Sequence, residues 1–376
     1  MSRKAAFVYH DALSRHVLRP DHPLKAIRLQ YTYELLEAYG AFGGEGSVLV
    51  EPRPATEAEI KSLHADEYVE AVKSFSRGER KYNPASFSFG AGGDNPIYEG
   101  MYEAAALSTG ASMVAVELVD GKRADVAFNI SGGLHHAAIR NASGFCVFND
   151  PAIAIKYLLS KGLRVAYVDI DAHHGDGVQN AFYDTDRVLT ISLHESGRFL
   201  FPGTGFVEEM GVGAGRGFSI NVPLYPYTED DTYLWAFREV VPPLVEAFKP
   251  DVLVTQLGID SYYSDPLAHL MLSSRGFSEA VKEFARMGLP WLATGGGGYD
   301  LGAVARCWTL AYGIMSGREW PDEIPLQYKE KYGLEQLRDA EEPVVVPEDV
   351  RRQARSFAEK SVETVKQLIF PIHKLG

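Results

Sequence analysis

Short apolar, β-branched runs alternate along the chain with longer segments of helical periodicity. The short runs predict strands over Ala5–Tyr9, Val48–Glu51, Asp125–Ile130, Arg164–Ile170, Arg187–Leu193, Phe218–Val222, Asp251–Leu257 and Trp291–Thr294. Several of them (VAYVDI, VLVTQLG) are apolar throughout, as expected when both faces of a sheet are covered. Helical spacing predicts helices over Leu24–Ala38, Pro96–Val119, Ala152–Ser160, Asp230–Phe248, Ser278–Met287, Leu301–Met315 and Glu348–Leu368. Thr56 opens the capping box T-E-A-E, and Pro242–Pro243 predict a kink in the Asp230–Phe248 helix. This alternation predicts an α/β fold, a mainly parallel sheet with helices on both faces. No Pro-, Gly- or Ser-rich linker divides the chain, so one domain over residues 1–376 is expected. The loosest stretch is Arg77–Asn95, with Gly90, Gly92 and Gly93; a loop that long in a compact domain is usually functional or mobile.

Composition narrows the function classes. Lysine and arginine number 37 against 50 acidic residues, a net charge of −13, and 46% of the 376 residues are hydrophobic. That is a globular composition. The negative balance argues against non-specific nucleic-acid binding and against docking on an anionic membrane. The two cysteines, Cys146 and Cys307, form no C-x-x-C, which argues against a disulfide framework or a thiolate metal site. The apolar run of the start, MSRKAAFVYH, stops after Tyr9, too short for a signal-peptide core. No run approaches the ~18 residues of a spanning helix. A cytoplasmic protein is the expectation.

The unusual polar residues sit just beyond predicted strand ends, where open parallel sheets bind their ligands. His135 and His136 follow Asp125–Ile130 in SGGLHHA. Asp169, Asp171, His173, His174 and Asp176 lie in DIDAHHGDG. Asp260 and Asp265 follow Asp251–Leu257, and Tyr299 follows Trp291–Thr294 after four glycines. At strand spacing Asp169, Asp171 and His173 share a side, and carboxylate with imidazole on one segment suits a divalent cation. The same residues in isolation would read as a capped turn and a core histidine. Two aspartates and two histidines within six residues favour the site. Asp260 gains meaning as a third ligand, leaving an open position for chemistry. A catalytic imidazole wants its second nitrogen held by a carboxylate, and Asp169 and Asp176 are available. The glycine run lacks the pattern of a phosphate loop; Tyr299 on it would suit an oxyanion donor. Phe145 and Phe201, in glycine-bordered loops, suit the walls of a narrow apolar channel, although buried phenylalanine is more often core packing.

Ten segments in order, HPLKAIRL, GGDNPIYEG, GGLHHA, ASGFCVFND, DIDAHHGDGVQ, ISLHE, FPGTG, INVPL, LGIDSYYSDPL and GGGGYD, resemble the zinc-dependent histone deacetylase superfamily. Within it they resemble the class I-like bacterial deacetylases of the acetoin-utilisation type, over about residues 5–315, with a C-terminal helical extension over about 345–370. The resemblance implies a single arginase/deacetylase-type domain around an eight-stranded sheet. It implies Zn²⁺, or Fe²⁺ in its place, held by Asp171, His173 and Asp260, and hydrolysis of the acetamide of an Nε-acetyl-lysine. In the implied reaction, water activated at the metal attacks with His136 as base and then acid, His135 assists, Tyr299 steadies the oxyanion, and by the same resemblance Asp169 orients His135 and Asp176 orients His136. Gly144, Phe145 and Phe201 line the lysine slot, Asp94 and Leu267 the rim, and Arg28 the internal acetate-exit cavity. K⁺ is implied at Asp169, Asp171, His173, Ser192 and Leu193, and a second K⁺ near Phe182, Thr185, Val188 and Phe218. The partner implied is an acetylated protein, a metabolic enzyme such as acetyl-CoA synthetase.

Departures from the family pattern carry information. Gly93 stands where an aromatic residue often precedes the rim aspartate, which opens the rim. Leu267 stands where a glutamate would point to acetylpolyamines, which favours acetyl-lysine. The C-terminal helix is not the long tail of nuclear relatives. Three other readings remain: a deacetylase of acetylpolyamines or other small acetylated amines, a non-catalytic acetyl-lysine reader, and an arginase-like two-metal hydrolase.

Overall fold

The computed structural model describes residues 4–44, 46–90, 92–340 and 345–375; Met1–Arg3 of the start and Ala91 of the glycine loop lie outside them. Eight strands form where the apolar runs predict them, to within one or two residues at most ends. They are β1 (Ala5–Val8), β2 (Ser47–Val50), β3 (Val126–Asn129), β4 (Val165–Asp169), β5 (Val188–Glu195), β6 (Ser219–Leu224), β7 (Val252–Gln256) and β8 (Trp291–Thr294). They make one sheet in the order β2-β1-β3-β8-β7-β4-β5-β6, and every neighbouring pair is parallel.

Side chains alternate between two cores, one on each face of the sheet. Phe7, Phe128, Val168 and Leu253 point into one; Ala6, Ala127, Tyr167 and Val254 point into the other. This is why the central strands read as unbroken apolar runs. The first core is closed by α1 (Ile27–Ala38), the second by α2 (Glu57–Lys61), α3 (Asp66–Ser76), α4 (Met101–Asp120), α5 (Asp150–Ser160) and α6 (Asp176–Ala181). Back on the first face lie α7 (Asp230–Phe248), α8 (Ser274–Arg286), α9 (Leu301–Ser316), α10 (Leu326–Tyr332) and α11 (Glu348–Leu368).

Helix boundaries follow their caps. The capping box closes on α2, Thr56 and Glu59 each bonding the other's backbone N–H. Asn149 caps α5 through the Ala152 N–H, and Asp300 caps α9 through Gly302 and Ala303. The helix expected from Pro96 begins only at Met101, because Gly100 takes a left-handed φ of 77° at its entrance. Helix α8 begins four residues ahead of expectation, since Ser273 caps the N–H groups of Arg275 and Gly276. Helix α7 runs through Pro242 and Pro243; the residues on either side, Val240, Val241, Leu244 and Val245, are all buried in the core.

Candidate metal and acid–base site

Strands β3, β8, β7 and β4 are consecutive in the sheet, and all run the same way. The loops leaving their carboxyl ends therefore meet at one edge. Those loops carry His135 and His136 after β3, Tyr299 after β8, Asp260 and Asp265 after β7, and Asp171 and His173 after β4, with Asp176 opening α6 just beyond. Asp169 is the last residue of β4 itself.

Asp171, His173 and Asp260 are buried and offer one ligand atom each, all within 4.8 Å of one another. The rest of each carboxylate is already committed. Asp171 Oδ2 accepts from Gln256 Nε2 (2.6 Å) and the Gly297 N–H (2.7 Å). Asp260 Oδ1 accepts the Ala172 N–H (2.7 Å). This leaves Asp171 Oδ1 and Asp260 Oδ2 turned to His173 Nδ1, at 3.1 and 2.9 Å. Two carboxylate oxygens and an imidazole nitrogen converge on one point, a donor set that fits a divalent cation of the zinc or iron type. The two acids disturb each other: burial and the Asp171 charge push Asp260 up to about 7, while Asp171 is held well below the usual range against burial, by His135 and His173. Arg28, the buried cation nearby, does not bond these acids; it donates to the carbonyls of Gly298 (2.7 Å) and Gly296 (2.6 Å) and so braces the glycine loop.

The histidine pair sits beside this point. His135 Nδ1 lies 2.7 Å from Asp169 Oδ2, His136 Nδ1 lies 2.7 Å from Asp176 Oδ1, and the two Nε2 atoms are 3.1 Å apart. Each imidazole thus donates Nδ1–H to its own carboxylate. The Tyr167 hydroxyl and the Asp171 N–H also bond Asp169. Burial lowers the affinity of both rings for a second proton. Asp169 and Asp171 overcome this at His135, raised to about 9; at His136 the neighbouring His135 adds to burial, and the pKa falls to about 4. An additional proton is thus favoured on His135 over His136.

The remaining predicted residues surround the pocket. Leu24, Arg28, Leu134, both histidines, Gly144, Phe145, Cys146, Asp171, His173 and Tyr299 line one cavity. Tyr299 is fixed by its backbone, whose N–H donates to Asp265 Oδ2 (2.8 Å), and burial followed by the Asp260 charge raises its hydroxyl well above the ordinary value. Phe145 packs edge-on to Tyr299 (5.8 Å between centroids), and the half-exposed Phe201 packs edge-on to His136 (5.0 Å). Gly144 has φ +48°, and a Cβ there would lie 2.3 Å from His136 Cδ2. Asp94 is exposed; Leu267 is half-buried, with its N–H on Asp265 Oδ1 (2.9 Å). Ser192 stands opposite Asp169 in the β4–β5 register, with Leu193 next to it. Phe182 follows α6, Thr185 and Val188 lead into β5, and the Phe218 carbonyl takes the Thr190 N–H (2.9 Å). A second cavity of about 60 Å³ adjoins the first, sharing Leu24, Arg28, Leu134 and Phe145.

Several supports escape sequence reasoning. Asp150 accepts the N–H groups of Gly133 (3.1 Å) and Leu134 (2.9 Å) and so shapes the turn ahead of the histidine pair; burial raises its pKa to about 6. Asn149 Nδ2 holds the carbonyls of His135 and Ala137, both at 3.0 Å, while its own N–H is held by His64 Nε2 (3.0 Å). Asn149 and Asp150 close the segment ASGFCVFND, but Asn-Asp ahead of an apolar run signals only a helix cap, and Gln256 reads as strand, so the sequence does not show what they hold.

The comparisons with known proteins agree with this geometry. A family model described as the histone deacetylase domain matches residues 22–315. The acetoin utilization protein AcuC of Bacillus subtilis (strain 168) is 38% identical over 98% of this chain and 98% of its own length. Histone deacetylase 1 of Homo sapiens is 37% identical over 88% of this chain and 68% of its own. The crystal structure of an HDAC homolog from Aquifex aeolicus superposes with a TM-score of 0.87 at 33% identity, covering 97% of this chain and 100% of that one.

Proposed function

Because the chain belongs to the histone deacetylase family, and is by that membership a deacetylase acting on acetylated substrates, we propose that it hydrolyses the acetamide of Nε-acetyl-lysine in proteins. The observation that carries this reading is the meeting of Asp171 and His173 with His135, His136 and Tyr299 in one pocket, with Asp260 buried within 4.8 Å of the first two.

We assign Zn²⁺, with Fe²⁺ as the alternative, to Asp171, His173 and Asp260. Such a cation would polarise the amide carbonyl and lower the pKa of water toward ~7. The chain's own groups do the rest. Tyr299, kept protonated by burial, donates its O–H to the carbonyl oxygen as negative charge develops there. His136 takes the proton of the attacking water at Nε2, while Asp176 keeps its Nδ1–H in place. A C–O bond forms as water adds. His136 then returns the proton to the amine nitrogen as the C–N bond breaks, giving free lysine and acetate. His135, held at Nδ1 by Asp169, assists electrostatically. Gly144, Phe145 and Phe201 flank the lysine methylenes, Asp94 and Leu267 form the rim, and Arg28 serves the adjoining cavity through which acetate leaves. Structural K⁺ is assigned beside Asp169, Asp171, His173, Ser192 and Leu193, supported by the Asp169–Ser192 register, and a second near Phe182, Thr185, Val188 and Phe218. An acetylated metabolic enzyme such as acetyl-CoA synthetase is the substrate proposed, with the whole chain acting as one catalytic domain in the cytoplasm. Among the described residues no helix is long and apolar enough to cross a membrane.

The test is acetate release from an acetyl-lysine peptide and from acetylspermidine. We expect the peptide to have the higher kcat/KM, activity to be lost to a chelator, and Zn²⁺ or Fe²⁺ to restore it. Faster turnover of acetylspermidine would shift the substrate class to small amines; turnover indifferent to the chelator would remove the metal role.

A further inference from the structure

Residues Arg19–Leu24 form an irregular segment that passes the glycine loop without joining any strand or helix. Within it His22 is only 1% exposed, although a histidine in a surface connection ordinarily faces water. Both ring nitrogens are used. Nδ1 accepts the Leu24 N–H (3.0 Å), so the proton sits on Nε2, which donates to the Asp94 carbonyl (3.1 Å). The ring stands edge-on to Phe145, with 4.6 Å between centroids and 76° between planes. Phe145, at a left-handed φ of +69°, is held on its other side by Tyr299, with 5.8 Å between centroids, so the slot wall does not depend on His22 alone. Arg19 adds a tie to the same loop, from Nη1 to the Gly93 carbonyl (3.1 Å). One imidazole thus touches both the rim loop and the slot wall, which lie about fifty residues apart in the chain.

We infer that His22 is a positioning residue that clamps the Asp94 loop to Phe145 and so fixes the rim relative to the lysine slot. This rests on the reading above, in which Asp94 meets the substrate main chain and Phe145 flanks the lysine. Burial lowers the pKa of His22, against the hydrogen bond to the Asp94 carbonyl and with the Arg19 charge. The neutral ring the clamp requires is therefore the form present at pH 7.

The clamp acts on substrates with a main chain to grip, which separates it from a space-filling role. Kinetics of the metal-loaded enzyme should be measured on an acetyl-lysine peptide and on a small N-alkylacetamide with no flanking peptide groups. We expect His22→Ala to raise the peptide KM by roughly three- to tenfold, the scale of one lost hydrogen bond, with kcat and the small-substrate kcat/KM nearly unchanged. His22→Gln, which keeps an N–H toward Asp94, should recover most of the peptide KM. Asp94→Ala should raise the peptide KM similarly, and His22→Ala/Asp94→Ala should be no worse than Asp94→Ala alone. An equal loss on both substrates, or multiplying effects in the double variant, would overturn the clamp. If Asp94→Ala leaves the peptide KM unaltered while His22→Ala raises it, the rim reading fails and the clamp to Asp94 fails with it. If Asp94→Ala raises it and His22→Ala does not, the clamp alone fails. Should His22→Ala not fold, His22→Gln and His22→Phe decide it: Phe keeps the contact with Phe145 and loses the bond to Asp94, so only Phe should show the KM defect.

Discussion

The hydroxyl of Tyr299 has a single assigned task, whereas its ring and backbone are held independently by Phe145 and Asp265. Tyr299→Phe should therefore keep the ring and the bound metal. Turnover should fall by about 10²–10³, the usual cost of one oxyanion donor. Acetate release beside metal content measured on the same sample checks this; full turnover would remove Tyr299 from the reaction. At this scale the sequence displays the chemistry-bearing side chains, because clustered aspartates and histidines at strand ends have few other uses. It hides what aims them. Gln256 on Asp171, Asn149 on the His135 carbonyl and Asp150 on the Gly133 turn are a strand amide and a helix-cap pair until the chain is folded. Their function lies in partners more than ten residues away.

Among elements, the loop bearing Gly144 and Phe145 is confined most tightly. Gly144 lies at left-handed φ, and the first carbon of any side chain would meet the His136 ring. Gly144→Ala should leave α5 and the sheet folded but displace that imidazole. We expect kcat to fall by about 10²-fold, as for a reacting group moved by about 1 Å, with an unchanged circular dichroism spectrum; near-normal kcat would show that the loop yields instead. The central strands are legible because burial on both faces leaves an unbroken apolar signature, while the edge strand β2 shows itself by its β-branched and apolar run although Val48 and Leu49 are exposed. Helix α3 is not, since DEYVEAVKSFS gives only a short amphipathic pattern. The start of α8 is masked by Gly276, whose lack of a side chain reflects the Asp230 carboxylate lying against it rather than flexibility.

For the whole molecule, folding couples to pH through His64. Its Nδ1–H is held by the Ala138 carbonyl (3.0 Å) and its Nε2 accepts the Asn149 N–H, so only the neutral ring fits. Burial lowers its pKa to about 4, against about 6.5 in the unfolded chain. Between those values the unfolded state binds more protons. The stabilisation is thus complete above pH 6.5 and is lost as pH falls toward 4, on the order of 3 kcal/mol. Chemical denaturation from pH 7.5 to 4.5 should show stability changing by about 3 kcal/mol less in His64→Gln than in the parent chain; equal slopes would exclude His64 as a source. The least legible property was strand order. Nothing in Trp291–Thr294 announces that the last strand made enters the middle of the sheet, between β3 and β7. Until it is added, β2-β1-β3 and β7-β4-β5-β6 share no ladder. His135 and His136 ride on one half, and Asp171, His173 and Asp260 on the other. A growing polypeptide emerging from the ribosome therefore lacks the wedge that links these two halves until its last strand is made.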